Sequence, residues 1–153
     1  MCYNGNMKIN IETNNKTESP IGDDFLLAVA RKTIELAGYD FFEGKNVSIS
    51  AAIVSEKEIQ ELNEKYRKND SVTDILSFCE YESEDELRAA DGQEVFLGEL
   101  ILCYNDIKKY AEERGIDLQK ELANVFSHGV LHLLGFSHGE EMFSIQKKVI
   151  NEV

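Results

Sequence analysis

The chain has 153 residues, 42% hydrophobic and 29% charged, which suits one domain with a proper core and is too short for two. A net charge of −13 is the one global feature that argues against a nucleic-acid substrate, because phosphate binding is driven by lysine and arginine releasing counterions. No apolar run is long enough to span a bilayer, and residues 1–7 lack a basic region followed by an apolar core; this predicts a cytoplasmic protein with no membrane contact.

Residues 8–12, K-I-N-I-E, alternate apolar and polar side chains and predict a first strand. Residues 23–37 predict a helix: Phe25, Leu26, Val29, Ala30, Ile34 and Ala37 recur at three- and four-residue spacing, acidic residues open the segment and Gly38 closes it. Val47, Ile49, Ala51 and Ile53 alternate as a second strand. Ser55 with Glu58 forms a capping box, so a second helix begins at Glu56. It shows Ile59, Leu62 and Tyr66 to the core and ends near Lys68, before the turn-forming Asn69-Asp70-Ser71. Residues 73–78 and 95–102 predict third and fourth strands. Between them, residues 80–94 carry seven acidic side chains against Arg88 alone, the composition of a solvated excursion. If the flanking strands pair antiparallel, it is a long hairpin connection at one end of the sheet.

A short helix over residues 105–114, stopped by Gly115, comes next. Asp117 caps a long helix whose Leu118, Leu122, Val125 and Leu131 bury it against the sheet, and a last helix over residues 140–152 packs through Met142, Ile145 and Val149. The predicted fold class is α/β (α+β), a single domain over residues 1–153 with a small mixed sheet of about four strands covered by about five helices. Cys2, Cys79 and Cys103 are odd in number and far apart. They read as reduced thiols, two of them buried, with Cys79 and Cys103 structural. Two basic groups, Lys65/Arg67/Lys68 and Lys108/Lys109/Arg114, can form local positive strips on an acidic protein. Apart from Arg67, they read as ordinary helix surface.

All three histidines fall within the eleven residues from His128 to His138, in the run H-G-V-L-H-L-L-G-F-S-H. On a helix, His128 and His132 project from one face a turn apart. Gly135 can reverse the chain and return His138 toward them. Three imidazoles with no fourth Cys or His nearby suit Zn²⁺ with a coordination position left for water, a catalytic rather than a closed structural site. The spacing H-x-x-x-H-x-x-G-x-x-H is that of metzincin peptidases, whose glutamate after the first histidine is the general base. Here Gly129 occupies that place.

Residues 128–138 closely resemble the mark H-G-x-L-H-L-x-G-[FY]-D-H of the YbeY-like endoribonucleases. Leu62-Asn63, Tyr66-Arg67, the block Thr73-Asp74-Ile75-Leu76-Ser77-Phe78 and the block Phe96-Leu97-Gly98-Glu99 resemble that family's other segments. Ser137 stands where the family usually has Asp, Val72 and Cys79 where prolines flank the T-D-[VI]-L-S-F block, and Glu99 where Asp is usual. A serine at 137 orients a metal-binding imidazole less strongly than a carboxylate would.

The resemblance implies a single-strand-specific, metal-dependent endoribonuclease acting in small-subunit rRNA 3′ end processing and ribosome quality control, with rRNA and the ribosome or its associated proteins as partners. It assigns His128, His132 and His138 to one metal ion, His128 and Arg67 to catalysis, and Arg67 and Ser77 to the substrate. Water on a cation held by neutral imidazoles can ionise near neutrality and attack a phosphodiester while Arg67 takes the charge developing on phosphoryl oxygens. Two alternatives stand beside this reading: a metal-dependent hydrolase of peptides or small molecules, and a ribosome-associated factor whose metal is structural.

Overall fold

Period-two alternation organises the sheet. The computed structural model describes residues 6–153; Cys2 and most of the stretch read for a secretory signal lie outside the described residues. Strands β1 (Lys8–Asn15), β2 (Asn46–Ile53), β3 (Ile75–Cys79) and β4 (Glu94–Leu102) form one mixed sheet in the order β1-β2-β4-β3. β1 pairs parallel with β2 and β2 parallel with β4, while β3 runs antiparallel along β4 as an edge strand. β1 runs beyond the predicted end at residue 12, paired with β2 as far as Asn15 opposite Ile53.

β4 carries an irregularity that keeps its apolar residues on one side. Its register against β2 steps from Ser48/Phe96 to Ser50/Glu99, so β4 spends one extra residue at Leu97-Gly98. Without that residue Val95 and Leu97 would face away from Leu100 and Leu102; with it, all four enter the same core. Gly98 lies at φ 136°, and a Cβ added there would run into the Phe78 carbonyl oxygen, so no side chain fits.

Helices cover both faces. α1 (Asp23–Ala37) begins with two acidic residues and ends on Gly38 in the left-handed conformation. α2 (Glu56–Arg67) is capped by Ser55, whose hydroxyl accepts from the Glu58 amide. It covers the smaller core of Val54, Ile59, Leu76, Ile101 and Cys103. On the other face lies the main core, where α1 and the long helix α5 (Leu118–Leu133) lie against each other and α5 contacts β3 and β4. α4 (Tyr104–Arg114) and α6 (Glu140–Glu152) also pack on α5.

The acidic segment over residues 80–94 is not a plain solvated excursion. It contains the short helix α3 (Glu84–Arg88), capped by Ser83, and buries Leu87 to 1% exposure. A 3-10 turn, Asp40–Phe42, supports it: the Arg88 guanidinium lies 4.5 Å from the centre of the Phe41 ring. Among the described residues no helix is long and apolar enough to cross a membrane.

Candidate metal centre

The apolar stripe of α5 settles which way its histidines point. Leu122, Val125, Phe126, Val130, Leu131 and Leu133 are buried, which leaves His128 and His132 half-exposed at the margin of the helix. Their Nε2 atoms lie 3.0 Å apart, and His138 Nε2 lies 3.2 Å from that of His128. Candidate ligand atoms from all three lie within 4.8 Å of one another. Zinc–nitrogen bonds of 2.0–2.1 Å at tetrahedral angles place ligand nitrogens about 3.4 Å apart, so the donor set fits one such ion.

His138 reaches the other two through a tightly held turn. Gly135 has φ 93°, and a Cβ there would come within 2.7 Å of the Glu84 backbone nitrogen, so only glycine fits beneath α3. The Gly135 and Phe136 amides bond back to the carbonyls of His132 and Leu131. The Tyr39 hydroxyl donates to the Leu134 carbonyl at 2.7 Å, and its ring stacks on Phe136. Tyr39 thus anchors the turn from ninety-five residues away, a role with no local sequence signal.

The imidazoles are also supported from behind. His128 Nδ1 lies 3.3 Å from Gln146 Oε1 of α6, and Gln146 in turn donates to Asn124 of α5. Sequence reasoning missed Gln146 and Asn124, although a glutamine between Met142 and Val149 on an apolar stripe was a visible signal. Burial, then the neighbouring His128 and His138, holds His132 below its ordinary pKa, while a hydrogen bond with the Phe136 backbone opposes the shift. That shift favours the neutral imidazole, the form a metal needs.

Next to His128 a cavity of 320 Å³ opens, walled in part by Asp74, Asp106, Tyr110, Glu121, Asn124 and Gln146. Burial raises the pKa of Glu121, against the hydrogen bond from Asn124; burial, then Asp74 and Glu56, raises that of Asp106. Gly129 faces the sheet: a Cβ would come within 2.6 Å of Ile75 Cδ1 and 2.9 Å of Leu100 Cδ2. A glutamate at 129 would project into β3 and β4, so the position lacks both a base and the room for one.

Arg67 stands at the end of α2, exposed, with Nη2 donating to the Ser77 carbonyl at 2.7 Å and its guanidinium 4.9 Å from the Phe78 ring centre. Two residues along the same strand, the Cys79 thiol meets the His132 carbonyl at 3.4 Å. Ile75 and Cys79 both approach α5, so by the pleat Ser77 faces that helix too. Cys79 is exposed at the end of the edge strand rather than buried as expected, whereas Cys103 is fully buried. Ser137 is exposed, and Glu99 shares its side of β4 with Ile101, the face under α2 rather than the face under α5.

The fold and site together define an α/β protein with a three-histidine cluster where its core helix turns back. The family model described as Endoribonuclease YbeY matches residues 10–153. Endoribonuclease YbeY of Bacillus velezensis is 36% identical over 154 residues, covering 95% of this chain and 96% of its own length. The protein of that name from Staphylococcus carnosus is 39% identical over 111 residues, covering 69% of this chain and 72% of its own. Among solved structures, the solution structure of a Thermotoga maritima protein is similar with a TM-score of 0.62 at 30% identity, covering 94% of this chain and 88% of that one. The chain belongs to the YbeY endoribonuclease family.

Proposed function

We propose that the chain is a zinc-dependent endoribonuclease of the cytoplasm, working as one domain on single-stranded rRNA, at the 3′ end of the small-subunit rRNA and in ribosome quality control. The observation that carries this is the convergence of three imidazole nitrogens, 3.0 and 3.2 Å from the central one, in a member of an endoribonuclease family. His128, His132 and His138 hold the ion. When bound, it supplies the Lewis acidity and the activated water that phosphodiester hydrolysis requires.

The remaining work falls to side chains of this chain. Arg67 presents a planar cation to phosphoryl oxygens as their charge grows, and its tie to the Ser77 carbonyl sets its direction. Ser77 contributes its hydroxyl to the substrate from the strand under α5. Phe143, 54% exposed with its ring centre 6.4 Å from that of His138, offers a surface on which an unpaired base can stack. The peptidase alternative is disfavoured by Gly129, whose neighbours leave no space for the protease base.

The test is elemental analysis combined with cleavage of single-stranded and structured RNA by metal-free and zinc-reloaded protein, alone and with ribosomes. One zinc per chain, lost in His132→Ala, and cleavage only by reloaded protein are expected. A His132→Ala protein that kept one equivalent of tightly held zinc would remove the ligand assignment. No cleavage by the zinc-loaded parent would return the choice to a hydrolase of another substrate.

A further inference from the structure

Gln146 occupies a core position of α6, 7% exposed and flanked along its helix by buried Met142, Ile145 and Val149. An amide in such a place must satisfy both of its ends within the protein. Its Nε2 donates to Asn124 Oδ1 at 2.9 Å and to the Asn124 backbone carbonyl at 3.3 Å. Asn124 cannot reverse this, because its own Nδ2 is committed to Glu121 Oε1 at 3.4 Å, which turns its oxygen toward Gln146. With two acceptors against one end, the oxygen of Gln146 must face the other way, where it lies 3.3 Å from His128 Nδ1. A flipped amide would set oxygen against two oxygens in a buried site.

An amide oxygen only accepts, so the proton of neutral His128 sits on Nδ1. The lone pair is then on Nε2, the atom 3.0 Å from His132 Nε2 and 3.2 Å from His138 Nε2. We propose that Gln146 is a positioning residue of the metal centre: held by Asn124, it locks His128 in the Nδ1–H tautomer and aims Nε2 at the ion, so that α6 is coupled to metal affinity. The inference rests on the three-histidine reading of the site. An acceptor behind a metal-binding histidine is the usual device for fixing ring orientation, and its loss typically weakens binding about 10- to 100-fold. Here a buried neutral amide serves, which suits a position where a carboxylate would have to be desolvated.

The full chain with Gln146→Met, similar in length but with only a weakly accepting sulfur, and with Gln146→Glu, whose buried carboxyl in its protonated form donates its O–H to Asn124 and keeps a carbonyl acceptor for His128, tests this. Zinc affinity is measured by competition with a chromogenic chelator, folding by circular dichroism, and the His128 tautomer by long-range ¹H–¹⁵N correlation in metal-free protein. The expected results are an Nδ1–H tautomer in the parent, a loss of zinc affinity of about 10- to 100-fold in folded Gln146→Met, and recovery of most of it in Gln146→Glu. An unchanged affinity in folded Gln146→Met overturns the proposal, as does an Nε2–H tautomer in the parent. If Gln146→Met does not fold, the parent tautomer and the Gln146→Glu affinity decide it. A parent that binds no zinc refutes the three-histidine reading itself, whereas a parent that binds zinc as tightly as Gln146→Met refutes this inference alone.

Discussion

Replacing Arg67 with alanine distinguishes a contact made in the transition state from one made in the folded protein. In the folded chain the guanidinium makes one strong hydrogen bond, to the Ser77 carbonyl, and lies over the exposed side of Phe78. An exposed cation–π contact and an exposed hydrogen bond are each worth about 0.5–1 kcal/mol. For a chain of this size 1 kcal/mol moves the melting temperature by about 2–4 °C, so Arg67→Ala should melt only a few degrees below the parent. A donor aimed at charge that develops during the reaction is worth about 3–4 kcal/mol, or about two to three orders of magnitude in rate. The assay is single-turnover cleavage of an unstructured RNA by parent, Arg67→Ala and Arg67→Lys, with bound metal quantified and melting followed in each. Arg67→Lys should fall between the two, keeping the charge without the planar fork. Equal rates in parent and Arg67→Ala, or a loss of rate that follows a loss of metal, would refute the role.

Gly129→Ala should destabilise the protein: the added methyl meets Ile75 and Leu100 in the core, and overpacking of about 1–3 kcal/mol outweighs a helix-propensity gain of about 1 kcal/mol. A variant that unfolds at higher denaturant than the parent would contradict this. Cys79→Ala and Cys103→Ala should both retain RNA cleavage: Cys103 is buried, and the Cys79 thiol, though its residue is exposed, is partly desolvated against the His132 carbonyl, so that desolvation raises both thiol pKa values, for Cys79 against the opposing Arg67 charge; an inactive variant that is folded and metal-loaded would point to a thiol nucleophile. Glu121→Gln should stabilise the protein at neutral pH. The folded state holds the Glu121 proton more tightly than the unfolded state because the group is buried, so ionisation costs stability as pH rises through the unfolded value of about 4.3 and beyond. The gain should vanish in urea melts carried out below that value, and a loss of stability at neutral pH would count against the argument.

Elements with strong periodicity or explicit caps were legible in the chain. Ser55 with Glu58 marked the start of α2, and Gly38 and Gly115 marked the ends of α1 and α4, because caps are local chemistry. Strand order was not legible: nothing local places β4 between β2 and β3, since pairing partners are chosen by the whole sheet. α3 was missed although Ser83 and Glu86 form the same cap signal as Ser55 and Glu58, because the surrounding acidity suggested solvent; burial of Leu87 between the elements decides otherwise. Of the site, the three histidines could be read from spacing alone. Gln146 required knowing that α6 lies across α5, and Tyr39 required a contact between distant segments, so their roles emerge only from tertiary packing.

The net charge of −13 bears on how such a protein can engage RNA at all. Five of its sixteen lysines and arginines are committed to ion pairs: Lys109 to Glu56, Lys16 to Glu58, Lys32 to Glu152, Arg88 to Glu84 and Lys108 to Glu112. Arg67 differs, because its hydrogen bonds go to the neutral carbonyls of Ser77 and Tyr66. Among the described residues no carboxylate pairs with it, so its charge remains available to a phosphate. A protein that meets the backbone through one such cation and a metal neutralises few phosphates and releases few counterions. With one or two contacts, the slope of log K against log salt on single-stranded RNA should be about −0.7 to −1.4. Fluorescence anisotropy with a labelled single-stranded RNA across a salt series, using metal-loaded protein, measures that slope, and Arg67→Ala should flatten it by about one contact's share, about 0.7. A slope several times steeper would mean that a basic face binds the RNA, and it would overturn the view that the affinity of the isolated chain is local to the metal and Arg67.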